Sequence, residues 1–101
     1  MKTKDLEAEI TTLSGAKIML TPTKALTYKS GLISACEVFQ GAPGSGESLM
    51  AYNLGIKILN AKEELKLEKE DVDFLKKVVE NNQSFMAVVI GRLLEFINKF
   101  N

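Results

Sequence analysis

The segment of the chain that most resembles a chemical signature is the glycine-rich stretch at residues 41–48. Its sequence, GAPGSGES, has the spacing of a phosphate-binding P-loop at every fixed position except one. The exception is the lysine that reaches the terminal phosphates, where this chain has Glu47. A carboxylate repels phosphate there and can itself occupy the positive start of a helix. We therefore expect a linker between two helices, with Gly41 ending the first and Ser45 capping the second.

Two parts of the chain nevertheless leave open an anion-binding role. The first is the 41–48 loop, acting as a modified anion site without nucleotide chemistry. The second is the group of Lys17, Lys24 and Lys29, which have no acidic residue between them. Either would make the chain a small-molecule or phosphate-binding sponge. The alternative is that the loop is only a linker and the lysines form a solvated edge.

The residues used most often for nucleophilic and metal chemistry are scarce. Cys36 is the only cysteine and the chain has no histidine, so Cys–His pairs, Ser–His triads and imidazole zinc ligands are absent. The acidic cluster at 68–73 lacks the alternating oxygen ligands and central glycine of an EF-hand. It suits the positive start of a helix better. We expect no enzymatic activity, no cofactor and no metal site.

The charge balance argues against a nucleic-acid partner. Thirteen basic residues are offset by thirteen acidic ones, whereas nucleic-acid binders concentrate positive charge. The first residues, MKTKD, do not lead into the apolar core of a signal peptide. No uninterrupted apolar run reaches the ~18 residues of a membrane span, because Arg92 interrupts the longest candidate. A single cysteine fits a reducing compartment. We expect a cytoplasmic protein without a membrane partner.

The sequence pattern predicts a hairpin at the N-terminus and helices in the rest of the chain. Residues 7–12 alternate polar with small or apolar positions, and the apolar residues 18–20 follow after the natural turn residue Gly15, which predicts a β-hairpin over 1–22 ended by Pro22. Its apolar face, formed by Ile10, Ile18 and Leu20, must rest on helices because a lone hairpin is marginal in water. The helices are predicted at 27–40, 47–61, 68–81 and 84–100, with 41–46 as a glycine-rich linker.

The predicted fold is therefore α+β and mainly helical, a single domain over 1–101 with an N-terminal β-hairpin packed on a bundle of about four helices. Thr27 is expected to cap the first helix and Ser84 the fourth, while Asn81 and Asn82 end the third. Large apolar residues line one face of the second helix, widened by Leu54 and Ile58. That face consists of Leu49, Tyr52, Ile56 and Leu59.

The last predicted helix is apolar over roughly 200° of its circumference, more than one small core uses. One edge has side chains large enough to fill the protein's own core. It is formed by Phe85, Val89, Phe96 and Phe100. The opposite edge has small residues that allow another helix to approach closely. It is formed by Ala87, Gly91, Leu94 and Asn98. We expect this second edge to be an interface in a homo-oligomer.

The order of these elements resembles small uncharacterised proteins encoded by bacteriophages and prophages. There a hairpin around a glycine turn precedes a helix, a variable loop and then segments like SLMAYNLGIKILNA at 48–61 and LEKEDVDFLKKVVE at 67–80. The resemblance brings no catalytic residue with it. It implies a non-enzymatic accessory protein in a bacterial host cell, which works by protein–protein contact in particle assembly or binds a host protein.

Overall fold

The computed structural model describes residues 2–100, and within that range the chain is α+β and mainly helical, which confirms the predicted fold class. The elements in chain order are α1 Thr3–Leu6, β1 Met19–Thr21, β2 Lys24–Ala25, α2 Tyr28–Val38, α3 Glu47–Asn60, α4 Lys69–Glu80 and α5 Ala87–Ile97.

The hairpin is displaced from its predicted place at 1–22. β1 and β2 pair antiparallel, with Met19 opposite Ala25, so Pro22 lies in the turn between them and does not end the hairpin. Proline fits there because its fixed φ suits the first central position of a β-turn. The reversal at Gly15 does form, with φ 93° and with Thr12 N–H donating to Ala16 C=O (2.8 Å), but beyond it the two segments pair only through an isolated bridge between Thr11 and Lys17. The short helix α1 was not predicted.

Three apolar residues spaced eight apart join the N-terminal segments in a closed ring of backbone hydrogen bonds. Ile10 N–H donates to Leu26 C=O (2.8 Å), Leu26 N–H to Ile18 C=O (2.7 Å), and Ile18 N–H to Ile10 C=O (3.2 Å). Ile10 and Leu26 are buried, and Ile18 packs against the core. The ring therefore attaches the hairpin to the helices. Two members of the predicted apolar face, Ile10 and Ile18, do meet the core, but the third, Leu20, is 52% exposed, and Leu26 is buried instead.

Arg92 on α5 makes a second attachment to this N-terminal region. Its guanidinium donates to the carbonyls of Thr11 and Thr12, with N···O distances of 3.2 and 3.1 Å. Both carbonyls belong to residues just before the Gly15 turn, and the two hydrogen bonds are partly buried. The sequence indicated Arg92 only as a polar interruption in an apolar run. In the structure it joins α5 to the N-terminal region.

α2 lies at the centre of the helices and packs on α1, α3, α4 and α5. Thr27 caps it as predicted: Ser30 N–H donates to Thr27 Oγ1 (3.1 Å), while Thr27 N–H donates to Ser30 Oγ (3.0 Å). This reciprocal pair satisfies two backbone donors at the helix start. The helix ends at Val38 with an extended Phe39 as C-cap, so Gly41 does not cap it.

α4 and α5 begin close to the residues predicted for their starts. Glu68 precedes α4 and its backbone N–H donates to the Asp71 carboxylate (3.2 Å), as the acidic cluster indicated. α5 begins at Ala87, three residues after the predicted cap. Asn82, rather than Ser84, accepts the backbone N–H groups of residues 84 and 85 (2.8 and 3.0 Å). The Asn82 carboxamide thus stabilises a turn, and α5 begins only after this turn.

One hydrophobic core connects all the helices. Its buried members come from every helix and from the N-terminal ring. The largest fully buried side chains are Leu6, Ile10, Leu32, Ile58, Leu65, Leu75, Leu93, Ile97, Val78 and Val79.

Candidate functional site

Five of the ten large apolar side chains that are exposed in residues 2–100 lie on α3, and one of these five is Met50. Four large side chains, which we call the α3 face, follow one another at i, i+3, i+7 and i+10. They are exposed as follows: Leu49 63%, Tyr52 63%, Ile56 40% and Leu59 51%. The sequence grouped these residues correctly on one face, but the core lies against a neighbouring face.

The buried face of α3 contains smaller residues, and this explains its orientation. Ala51 and Gly55 are buried and face α2, and Leu54 and Ile58 complete the buried side. Small residues let two helix backbones approach closely. A Cβ built on Gly55 would lie 3.2 Å from the Cβ of Cys36 on α2. The close approach fixes the rotation of α3, and this rotation directs the larger residues to solvent.

A groove between α2 and α3 adjoins the α3 face. It has a volume of about 290 Å³. α2 contributes Ile33, Cys36 and Phe39 to its lining, and α3 contributes Tyr52 and Ile56 among others. The groove and the α3 face thus form one continuous, mainly apolar surface, with Glu37 and Ser48 as the polar residues of the groove.

Charge is sparse on the α3 side of this surface, although the exposed carboxylate of Glu37 on α2 lines the groove. Between Ser48 and Ala61, Lys57 is the only charged residue. Its ammonium lies 3.4 Å from the Asp71 carboxylate on α4, away from the α3 face. Depletion of charged residues and enrichment of aromatic ones distinguish the centre of protein interfaces from other surface. Residue composition and exposure therefore both mark this helix as a contact surface.

The 41–48 loop is satisfied by its own groups. Gly41 N–H donates to Ser48 Oγ (2.9 Å), Ser45 Oγ–H donates to the Ala42 carbonyl (2.7 Å), and Glu47 N–H donates to Ser45 Oγ (3.2 Å). Gly46, with φ 78°, occupies the N-cap position predicted for Ser45. The loop is a linker, as expected, and its polar groups hold its own conformation.

Glu47, at the position of the P-loop lysine, pairs with the Lys77 ammonium at the end of α4. The hydrogen bond from Lys77 is the main cause that lowers the pKa of the Glu47 carboxyl, and the backbone at Ala42 and the Ser45 hydroxyl contribute. Both groups line a cleft of about 550 Å³ that also contains Asn82. Since Lys77 is already neutralised by Glu47, the cleft has no surplus positive charge for an anion.

The three lysines proposed as an anion site do not form a cluster of unbalanced positive charge. The Lys17 ammonium lies 3.2 Å from the Glu9 carboxylate, and that of Lys29 lies 3.7 Å from the Glu7 carboxylate. Lys24 is exposed on β2. Two of the three positive charges are thus balanced by neighbouring acids.

The predicted α5 interface is partly accessible. Ala87, Gly91 and Asn98 are exposed, whereas Leu94 is half-buried and packs against the core. The predicted core edge of α5 is confirmed as core: Val89, Phe96 and Phe100 are buried, and Phe85 is half-buried against them. The α5 edge stays an untested prediction, and because it has less exposed apolar surface than the α3 face, the α3 face is the better supported interface.

Cys36 lies on the buried side of α2, as predicted. Burial, assisted by the negative charge of Glu37, raises the pKa of its thiol to about 11. A thiol in this environment is not a nucleophile at neutral pH. Within residues 2–100, no group of three cysteine, aspartate or glutamate side chains is arranged to hold a metal ion.

None of the helices in the described range has the length and apolar content needed to cross a bilayer. No protein-family model matches the chain, and comparison with curated proteins and with solved structures found no match either.

Proposed function

We propose that this chain is a non-enzymatic protein that acts through protein–protein contacts, and that the α3 face is its contact surface. The observation that carries the proposal is the exposure of four large apolar side chains on a helix almost without charge.

The energetics support a contact role over a purely structural one. Full burial of a leucine or isoleucine side chain stabilises a protein by about 1.5–3 kcal/mol relative to leaving it exposed. Side chains such as Leu49 and Tyr52, each 63% exposed, realise only part of that in the isolated chain. The exposed part of each side chain adds nothing to the stability of the isolated chain. Association with another protein supplies the remaining burial.

The resemblance to phage and prophage proteins supports a biological setting for this contact. The chain is an accessory protein of that type, cytoplasmic in a bacterial host cell, and either assists particle assembly or binds a host protein. Self-association belongs to the same proposal. The alternative of a phosphate or small-molecule sponge is less well supported, because Glu47 neutralises Lys77 and acidic partners balance Lys17 and Lys29.

Site-specific photo-cross-linking tests the contact surface without requiring the partner's identity. A photoreactive phenylalanine analogue is placed at position 52, in the α3 face, in cells that express the chain. The matched control places the same analogue at position 80, because Glu80 is exposed on α4 outside the face. We expect protein adducts at position 52 and few at position 80. Equal yields at the two positions would remove the α3 face as the contact surface.

A further inference from the structure

We propose that the α3 face binds the α3 face of a second copy of this chain, with the two helices antiparallel about a twofold axis that passes between Tyr52 and Ile56. This inference rests on the proposed function, because it names the occupant of the same surface.

The spacing of the four side chains is symmetric along the helix. Leu49 and Leu59 lie five residues on either side of position 54, and Tyr52 and Ile56 lie two residues on either side of it. Reversing the helix direction therefore superposes each large apolar position on another. A twofold interface requires such self-complementarity, because both copies contribute the same surface patch and this patch must fit itself.

The symmetry defines a register. Leu49 of one copy faces Leu59 of the other, and Tyr52 faces Ile56, so each contact occurs twice. The outer leucines of one helix are about 15 Å apart at a rise of 1.5 Å per residue. This length gives two layers of contact on each side of the axis. Antiparallel helices also bring the positive start of one helix near the negative end of the other.

The charges of the surface permit contact between identical copies. A face with a net charge repels its own copy, but the α3 face has none, and Lys57 is directed to Asp71 on α4. At the rim the same register places Ser48 near Asn60 of the other chain. Hydroxyl and carboxamide groups pair without repulsion. The four residues of the α3 face offer no charge to an acidic or basic partner, and the nearest acidic group is Glu37 in the adjoining groove.

The available area also fits a dimer of ordinary size. The exposed portions of the four side chains amount to on the order of 400 Å² of apolar surface per chain, the size of the largest apolar patch on a typical monomer, which is often functional. A standard interface buries about 800 Å² on each partner, of which somewhat more than half is apolar. The α3 face thus supplies most of the apolar centre, and the surrounding polar residues supply the rim.

Disulfide trapping of the purified protein tests the register. The double variant Leu49→Cys with Leu59→Cys is compared with each single variant under mild oxidation. Wild-type chain is the control for Cys36, which is buried and not reactive. Because both leucines are more than half exposed, these substitutions leave the core intact.

The antiparallel dimer predicts at least tenfold more disulfide-linked dimer from the double variant than from either single variant, because a disulfide requires Cα atoms about 4.4–6.8 Å apart. Cross-linking of the Leu49→Cys single variant as efficient as that of the double variant would show parallel helices and overturn the proposal.

A double variant that stays unlinked also overturns the twofold pairing. If position 52 then gives photo-adducts with a different protein, the proposed function stands with another occupant. If position 52 gives no adducts, the proposed function fails as well.

Discussion

Gly55 on α3 lies directly against Cys36 on α2: a Cβ built on Gly55 would lie 3.2 Å from the Cβ of Cys36. Both atoms are attached directly to helix backbones, so neither can rotate away. The contact fixes which side of α3 is buried, and therefore which side presents Tyr52 and Ile56 to solvent.

The first prediction is that Gly55→Val destabilises the protein. The substituent must push α2 and α3 apart, and overpacking of this kind costs about 1–3 kcal/mol. Urea unfolding followed by circular dichroism gives the change in the free energy of unfolding.

Gly91→Ala is the matched control for that experiment. Gly91 is also helical, but nothing lies within 4 Å of an added Cβ. Alanine there should stabilise α5 by up to about 1 kcal/mol through helix propensity alone. If Gly55→Val proves neutral or stabilising, the α2–α3 contact does not determine the orientation of α3.

The second prediction concerns the Cys36 thiol, whose pKa burial raises to about 11. The unfolded chain loses this proton first as pH rises, because its thiol titrates near 9.0. The stability of the folded state is therefore unaffected by this group below pH 9.0 and falls between pH 9.0 and about 11. Unfolding curves of wild type and Cys36→Ala should diverge in that window. Parallel curves throughout would show that the thiol is not buried.

The third prediction concerns the pair formed by Glu47 and Lys77. The pairing lowers the pKa of the Glu47 carboxyl below its ordinary 4.5. Its stabilisation is consequently present above pH 4.5 and is lost as pH falls through the lowered pKa. Glu47→Gln should increase amide hydrogen exchange in the 41–48 loop at pH 7.

Glu80→Gln is the control, because Glu80 is exposed on the same helix as Lys77. The account of the loop is contradicted if both variants leave its exchange unchanged.

The fourth prediction is that Phe96→Ala lowers the free energy of unfolding by about 3–5 kcal/mol. Phe96 is 4% exposed, and its ring stacks on Tyr28 with centroids 4.5 Å apart. Removing it leaves a cavity between α5 and α2. Thermal unfolding measures the loss, and a change below about 1 kcal/mol would place Phe96 outside the core.

Local signals predicted the helices well. The caps at Thr27 and Glu68 involve residues three apart in sequence, so short-range pattern is sufficient to find them. The start of α5 was placed at Ser84 because its hydroxyl is an ordinary cap. Asn82, two residues earlier in the chain, forms a turn there instead. Two candidate caps so close together cannot be ranked from sequence alone.

Contacts distant in sequence account for the other differences. The orientation of α3 depends on the fit between Gly55 and Cys36, whereas the periodicity of large residues selected the neighbouring face. The hairpin was misplaced because its backbone bonds close a ring among Ile10, Ile18 and Leu26. Their spacing of eight residues was a visible signal of three similar short segments.

The fifth prediction tests the central claim, that the α3 face is the surface through which this chain associates. Light scattering on a sizing column gives the molar mass from about 1 to about 300 μM, the range of modest dimer affinities. Three proteins are compared: wild type, Ile56→Glu in the α3 face, and Leu94→Arg in the predicted α5 interface.

We expect the wild-type mass to rise with concentration towards twice that of one chain. Ile56→Glu should stay at the mass of one chain, because a buried unpaired carboxylate opposes association. Leu94→Arg should still form the dimer. A wild type that stays monomeric throughout, or a dimer that Leu94→Arg abolishes and Ile56→Glu preserves, would contradict this account.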